Sequence, residues 1–259
     1  MKTHTSVYWV PKAGNKASEN QDAFSWPDTT EGYCDLSEQK FAVADGATEA
    51  IFSGPWAALL TGAWHEGSFD FGEEIDEALA SLSARWKESV PSTALPWWAE
   101  EKIENGAFAT LVGLTLSDPL NGTDIPDERC TWNLKAIGDS CMFIVRENRL
   151  VFAGPLTRSE EFSSSPYLIG SSQSFNTSLR DHLFERSGTL FSGDEVILAT
   201  DAIASWFLSK IERGSDPLDL FGFMERMDSE NAFAEFIESA RATNEMRNDD
   251  VTLMLIHVR

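Results

Sequence analysis

The chain has 259 residues, of which 42% are hydrophobic and 11% are aromatic, so it can bury a substantial core. Its 20 basic and 42 acidic residues give a formal net charge of −22, which disfavours nucleic acid and anionic membranes as partners and favours cations. Three cysteines without a C-x-x-C pair, and no run of about 18 apolar residues, predict a cytoplasmic protein without a disulfide framework, a cysteine zinc site or a membrane-spanning helix.

The first part of the chain alternates short apolar runs with polar loops and then changes to helical periodicity. The runs at 23–26 and 41–44 are separated by a loop rich in Pro, Asp, Thr and Gly, and we expect them to pair as a hairpin with a long connection. The start of one antiparallel strand lies beside the end of its neighbour, so Asp22 and Asp45 should meet at one rim. The predicted elements are strands at 6–10, 23–26 and 41–44 and helices at 53–64, 72–89 and 96–105.

The second part of the chain returns to strand patterns and ends in helices followed by one more strand. Residues 156–178 are rich in serine and show no sustained period, which predicts a long loop. No composition break or repeat divides the sequence, so we expect a single domain over 1–259 in which helices cover sheet layers. The predicted elements are strands at 108–116, 131–137, 141–145, 150–152, 195–199 and 251–256 and helices at 202–212, 217–227 and 229–242.

Four aspartates lie at the ends of predicted strands with a consistent polarity. Asp22 and Asp249 precede strands, whereas Asp45 and Asp201 follow strands, so antiparallel pairing would bring the four together. Clustered carboxylates repel one another unless protons or cations neutralise them, and hard oxygen ligands without Cys or suitably spaced His fit Mg2+ or Mn2+. The alternative is that aspartate is common in turns and that so acidic a chain places several there by chance.

Short motifs around these aspartates favour the metal interpretation. They occur in the order and approximate spacing of the motifs of the metal-dependent (type 2C) protein phosphatases, and from 19 to 256 the chain resembles a bacterial-type member of that family. The motifs are Glu19-Asn20-Gln21-Asp22-Ala23-Phe24, Val43-Ala44-Asp45-Gly46, Ile137-Gly138-Asp139-Ser140, Leu198-Ala199-Thr200-Asp201 and Asp249-Asp250-Val251-Thr252.

The resemblance implies an α+β fold, an antiparallel β-sandwich flanked by helix pairs in four α-β-β-α layers. It also implies hydrolysis of phosphoserine and phosphothreonine through a water that bridges two Mg2+ or Mn2+ ions. Asp45 matches the carboxylate that bridges both metals, and Gly46 would offer its backbone carbonyl to one of them. Asp201 and Asp249 match ligands of the second metal.

Two further aspartates and two lysines complete the implied site. Asp22 matches the aspartate that holds metal-bound waters, so the implied catalytic set is Asp22, Asp45, Asp201 and Asp249. Asp139 matches a residue of a third, looser metal. Ala17 stands where the family has its phosphate-binding arginine, and Lys16 or Lys12 would supply the positive charge as a point charge without a bidentate fork.

Two functional hypotheses follow. The first is an active phosphatase that acts on a phosphorylated protein, with a cognate serine/threonine kinase as a candidate partner and with neither nucleic acid nor membrane bound. The second is a catalytically weak or inactive phosphatase-like domain that binds a phosphoprotein or has a regulatory role. The retained aspartates favour catalysis because clustered charges are costly to keep. Ala17 at the position of the family's arginine favours the second hypothesis. The chain also departs from the family pattern at Ala47-Thr48-Glu49, Cys141 and Ala202.

Overall fold

The structure is a computed structural model, and it describes residues 2–27, 34–35, 38–47, 52–90, 106–117, 129–162, 165–215 and 230–259. The predicted helices at 96–105 and 217–227, and residues 48–49 after the Asp-Gly pair, lie outside these ranges. The helices are α1 (Ser53–Glu66), α2 (Ile75–Ser89), α3 (Asp201–Glu212) and α4 (Glu230–Ala242). The strands are β1 (Lys2–Val10), β2 (Ala23–Ser25), β3 (Cys34–Asp35), β4 (Glu38–Ala44), β5 (Phe108–Ala109), β6 (Leu111–Ser117), β7 (Arg129–Ile137), β8 (Cys141–Arg146), β9 (Arg149–Gly154), β10 (Ile169–Gly170), β11 (Phe184–Phe191), β12 (Glu195–Ala199) and β13 (Val251–Val258).

These strands form two large antiparallel sheets and one small one. The six-stranded sheet has the order β3-β1-β13-β12-β8-β9, and the five-stranded sheet has the order β11-β7-β6-β4-β2. The remaining pair, β10 with β5, forms a two-stranded sheet. The predicted pairing of the second and third apolar runs is confirmed, since β2 runs antiparallel to β4 with Ala23 opposite Ala44.

Strand β4 shows how the sequence builds the layers, because its alternate residues face opposite sides of the sheet. Phe41 and Val43 belong to the apolar core between the two large sheets, which also contains residues of β6, β7, β12 and β13. Ala42 and Ala44 face outward into a second core with Trp64 of α1. Small residues are needed on that outer face because α1 lies close to the sheet.

Helices cover the outer face of each sheet. Helices α1 and α2 pack on the five-stranded sheet through their buried apolar residues. On the six-stranded sheet, α3 and α4 place Phe207 and Phe233 in a third core with Phe143 of β8 and Leu253 of β13. The order of layers is therefore helix, sheet, sheet, helix, and the predicted α+β sandwich is confirmed.

Some elements differ from the sequence prediction. Strand β11 was not predicted, because most of its side chains are exposed and its pairing with β7 places it at the edge of its sheet. The predicted strand at 108–116 is divided at Thr110 into β5 and β6. Strand β1 begins at Lys2, earlier than predicted. Within the described ranges, no helix has both the length and the apolar character needed to cross a membrane.

Candidate metal centre

The antiparallel pairings bring the acidic strand ends to one rim of the sandwich. Asp22 precedes β2 and Asp45 follows β4, while Asp201 follows β12 and Asp249 lies just before β13. Asp139 lies between β7 and β8 and therefore connects the two sheets. Each of Asp45, Asp139 and Asp201 offers a carboxylate oxygen, and these three oxygens lie within 4.8 Å of one another.

Thr110, which sequence reasoning missed, positions two of these aspartates. The backbone N–H of Asp45 donates to Thr110 Oγ1 over 2.9 Å, and the backbone N–H of Thr110 donates back to the Asp45 carbonyl over 2.9 Å. The Thr110 hydroxyl is also 2.6 Å from the hydroxyl of Ser140, the neighbour of Asp139. Gly138 has a φ of +97°, and a Cβ there would lie 2.5 Å from the Thr110 methyl group, so this corner requires glycine.

Gly46 is held tightly against Gln21. Its backbone N–H donates to the Gln21 carbonyl over 3.2 Å. Its own carbonyl oxygen lies 3.0 Å from the side-chain amide of Gln21, in the orientation in which the amide nitrogen donates. A Cβ on Gly46 would approach the Gln21 carbonyl to 2.6 Å, so no other residue fits. The carbonyl that the family resemblance assigns to a metal therefore has a fixed position.

Asp22 is buried and is connected to the opposite sheet. Its Oδ2 accepts a hydrogen bond from the Thr200 hydroxyl over 3.0 Å. The same hydroxyl oxygen accepts the backbone N–H of Thr252 over 2.9 Å, so it is bound to β13 as well. Thr200 precedes Asp201, and this chain of contacts fixes the relative positions of the two aspartates. Thr200 and Thr252 both lie in the sequence motifs, but only the structure shows their contacts.

Asp201 is the first residue of α3, where the helix dipole favours a negative charge. Its Oδ2 accepts a hydrogen bond from Arg247 Nη2 over 2.6 Å. Asp249 lies at the edge of the centre, where its side chain is 32% exposed and its Oδ1 is 3.7 Å from Lys12 Nζ. The structure thus brings Arg247 and Lys12 to carboxylates of the acidic rim and Arg241 to the Asp249 carbonyl. Of these three cationic residues, only Lys12 was predicted from the sequence.

Burial and mutual repulsion raise the pKa values of these carboxyl groups. Burial raises the pKa of Asp45 well above its ordinary value, and the negative charges of Asp22 and Asp201 raise it further. Burial likewise raises the pKa of Asp139 to about 7, with Asp201 as the next cause. The pKa of Asp201 is also raised by burial, although the positive charge of Arg247 opposes the shift. The cluster therefore favours protons or cations over a set of free carboxylates.

The donor set fits a hard divalent cation. One carboxylate oxygen, Oδ1, of each of Asp22, Asp139 and Asp201 is buried without a hydrogen-bond partner among the described residues. Buried polar atoms in native proteins normally have a partner, so these oxygens are available to a ligand. Carboxylate and carbonyl oxygens without thiolate or imidazole groups suit Mg2+ or Mn2+ better than zinc.

The two predicted phosphate-binding lysines lie on the loop before β2. Lys16 is exposed, and its backbone N–H donates to Glu19 Oε2 over 2.7 Å. Asp250 holds this loop at both ends, since it accepts the backbone N–H of Lys12 over 2.7 Å and that of Gln21 over 2.9 Å. The Asp-Asp pair before β13 was the sequence signal for Asp250, which received no role of its own.

No family model matches the chain, and no curated protein matches it either. The solved structures that resemble it include the photosystem II phosphatase PBCP, with 14% identity, 99% of each chain covered and a TM-score of 0.55. The serine/threonine phosphatase PstP/Ppp of Mycobacterium tuberculosis follows with 13% identity, 100% of each chain and a TM-score of 0.51. The PP2C phosphatase domain of SpoIIE from Bacillus subtilis, solved with a fragment of its regulatory domain, has 17% identity and a TM-score of 0.50, covering 99% of this chain and 64% of that one. The chain therefore has the fold of the type 2C protein phosphatases.

Proposed function

We propose that this protein is a Mg2+- or Mn2+-dependent phosphatase that hydrolyses phosphoserine and phosphothreonine in other proteins. The observation that carries the proposal is the group of carboxylates at the rim, in which oxygens of the half-buried Asp45 and the buried Asp139 and Asp201 lie within 4.8 Å of one another. So compact an acidic group is unfavourable without a cation, and the fold is that of a class of phosphatases.

The proposed ligands are Asp45 and the Gly46 carbonyl with Asp201 and Asp249, and Asp139 would bind a third, looser ion. When bound, the ions supply positive charge that neutralises the phosphate and lowers the pKa of water. The chain's own residues hold this arrangement in place. Thr110 fixes the backbone of Asp45, and the dipole of α3 favours the charged form of Asp201.

Asp22 is proposed to orient water rather than to bind metal directly. Its Oδ2 is occupied by the Thr200 hydroxyl, so its Oδ1 is the oxygen left to accept a hydrogen bond from water.

The proposed reaction does not need a protein nucleophile. The nearby Cys141 is fully buried, and burial raises the pKa of its thiol, which disfavours the reactive thiolate at neutral pH.

The remaining parts of the proposal concern the substrate and the setting. We propose that Lys12 or Lys16 contributes positive charge near the phosphate, that the substrate is a phosphorylated protein, and that a serine/threonine kinase acts in opposition. Residues 1–259 would act as one domain in the cytoplasm. A formal net charge of −22 supports the exclusion of nucleic acid and anionic membrane surfaces as partners.

A weak or inactive phosphatase-like domain is the second candidate. The observation that favours it is the ion pair of Arg247 with Asp201, because a guanidinium beside a proposed ligand competes with a cation for that carboxylate. Ala17 at the position of the family's arginine points the same way. Binding of a phosphoprotein without turnover would then be the function of the site.

One assay distinguishes the two candidates. Hydrolysis of p-nitrophenyl phosphate and of a phosphothreonine peptide is measured with Mn2+ and with a chelator, for the wild type, Asp45→Asn and the exposed control Asp181→Asn. We expect Mn2+-dependent turnover that Asp45→Asn reduces at least about 100-fold and that Asp181→Asn leaves unchanged. A wild type without Mn2+-dependent turnover would refute the enzyme, and full activity of Asp45→Asn would refute the site.

A further inference from the structure

The carboxylates of the candidate centre account for cations but not for the phosphate itself. A phosphate group also needs donors on the protein, and in such sites arginine is preferred because its planar guanidinium can bind two oxygens at once. Ala17 cannot supply them. The question is which cationic side chain of this chain reaches the acidic rim.

Arg247 has the required placement. It lies in the turn between α4 and β13, two residues before Asp249. Its Nη2 lies 2.6 Å from Asp201 Oδ2, and its positive charge opposes the rise in the pKa of Asp139. The side chain is nevertheless 45% exposed, so a ligand from solvent can reach the guanidinium.

The surface beside Arg247 has room for a substrate. Arg247 lines an open groove of about 460 Å³ together with Ser159, Ser205 and Asn248. The groove is also lined by Ala202, the residue that follows Asp201 in α3, so one side of it adjoins the acidic rim. A phosphorylated side chain at the rim could continue into this groove.

The other cationic side chains near the rim are placed less favourably than Arg247. Arg241 binds backbone carbonyls, since its Nη1 donates to Pro11 over 3.1 Å and its Nη2 donates to Asp249 over 2.5 Å. Lys16 is exposed, and its backbone N–H donates to Glu19 in the same turn. Lys12 approaches Asp249 to 3.7 Å, but an ammonium is a point charge and does not provide the two parallel donors of a guanidinium.

We propose that Arg247 is the substrate-binding residue that positions the phosphate, in place of the arginine that the family pattern has at residue 17. In the described structure the guanidinium binds Asp201, and a cation held by that carboxylate would leave the guanidinium free to bind the phosphate. This inference rests on the proposed phosphatase function. It places the phosphate-binding arginine in the turn before β13, whereas the family pattern has it in the loop before β2.

The test compares Arg247→Ala and Arg247→Lys with Lys12→Ala, Lys16→Ala and a matched control, Arg149→Ala. Arg149 is exposed at the start of β9, at the opposite end of β8 from Asp139, so the control removes a surface arginine away from the rim. Circular dichroism first establishes that each variant is folded. Kinetics at saturating Mn2+ then give kcat and KM for the phosphothreonine peptide, and calorimetry gives the affinities for Mg2+ and, at saturating Mg2+, for inorganic phosphate.

We expect Arg247→Ala to raise KM and to weaken phosphate binding by about 10-fold to 100-fold, with kcat changed less than KM. Arg247→Lys should restore part of the affinity, and Arg149→Ala should change neither value. If Arg247→Ala alters only the Mg2+ affinity and leaves phosphate binding intact, Arg247 is merely the counter-ion of Asp201 and the proposal is overturned. A loss confined to Lys12→Ala or Lys16→Ala overturns it as well.

The failure of this proposal is distinguishable from failure of the phosphatase function. If the wild type shows no turnover, the enzyme is refuted, but phosphate calorimetry on the Mg2+-loaded protein still decides whether Arg247 binds phosphate. If the wild type turns over and Arg247→Ala matches it in KM and in phosphate affinity, only the role of Arg247 is refuted.

Discussion

Replacing Asp139 with asparagine should make the metal-free protein more stable at pH 8 than the wild type. In the folded protein, burial and the neighbouring Asp201 raise the pKa of Asp139 from 3.8 to about 7. The folded state therefore binds this proton more tightly than the unfolded chain does. The resulting stability is fully present below about pH 4 and is lost as the pH rises towards 7. Asparagine has no proton to lose, so the variant avoids that loss.

The size of the effect follows from the two pKa values. The difference between 3.8 and about 7, at about 1.4 kcal/mol for each pKa unit, amounts to about 4 kcal/mol over the whole range. Asp139 is only 4% exposed, so solvent screening does not require a large discount. Roughly 2–3 kcal/mol of the loss falls between pH 5 and pH 8, which corresponds to a melting temperature difference of about 5 °C for a domain of this size.

Thermal unfolding followed by circular dichroism, in EDTA at pH 5 and at pH 8, measures this difference. The melting temperature of Asp139→Asn minus that of the wild type should increase by about 5 °C between the two pH values. Asp181→Asn, on an exposed turn, is the control and should show no such increase. Changes in packing or hydrogen bonding do not depend on pH in this way. A difference that is the same at both pH values would show that Asp139 is ionised in the folded protein and that the reasoning is wrong.

Two further predictions concern residues that hold the site in place. Thr110→Val removes the hydroxyl that accepts the Asp45 N–H and contacts Ser140, so we expect a loss of about 1–3 kcal/mol in unfolding free energy and about 10-fold weaker Mn2+ binding by calorimetry. Asp250→Ala removes the acceptor of two backbone N–H groups of the loop before β2, including that of Lys12. We expect trypsin to cleave this loop at least several-fold faster in the native protein, measured by mass spectrometry.

Each of these predictions has a control. Thr131→Val removes a hydroxyl that bonds Ser117 within the five-stranded sheet, and it should leave Mn2+ affinity unchanged. Equal losses of Mn2+ affinity in the two threonine variants would contradict the positioning role of Thr110. For Asp250, the comparison is Asp181→Asn, and a cleavage rate equal to that of the wild type would show that the loop is held by other contacts.

The fold was largely predictable because most of its strands show either a continuous apolar run or an alternation of apolar and polar residues. Strand β4 is an uninterrupted apolar run at its end because both of its faces are buried, and β7 alternates because one of its faces is only half-buried. Strand β11 carries no such signal, since it lies at the edge of its sheet with polar residues such as Arg186 and Ser187 exposed. Its place is determined by its pairing with β7.

The part of the candidate site that lies at strand ends could be predicted from the sequence. In an antiparallel pair, the start of one strand lies beside the end of the other, so aspartates before some strands and after others were expected to meet. The contacts of Thr110, Thr200 and Arg247 could not be found in this way. The two threonines connect segments that are distant in sequence, and Arg247 reaches the site with a long side chain from a turn. A lone threonine in an apolar run has no distinctive local pattern, and neither has an arginine near an acidic pair.

The acidic centre takes its residues from both large sheets, with Asp45 after β4 of one and Asp201 after β12 of the other. The separation of these carboxylates is therefore set by the apolar side chains that space the sheets, including Phe41 and Met254. A substitution in that core can change cation affinity without touching any ligand. Loss of activity in a random mutant library would then mark interior positions as well as the site, and only a separate measurement of folding would tell them apart.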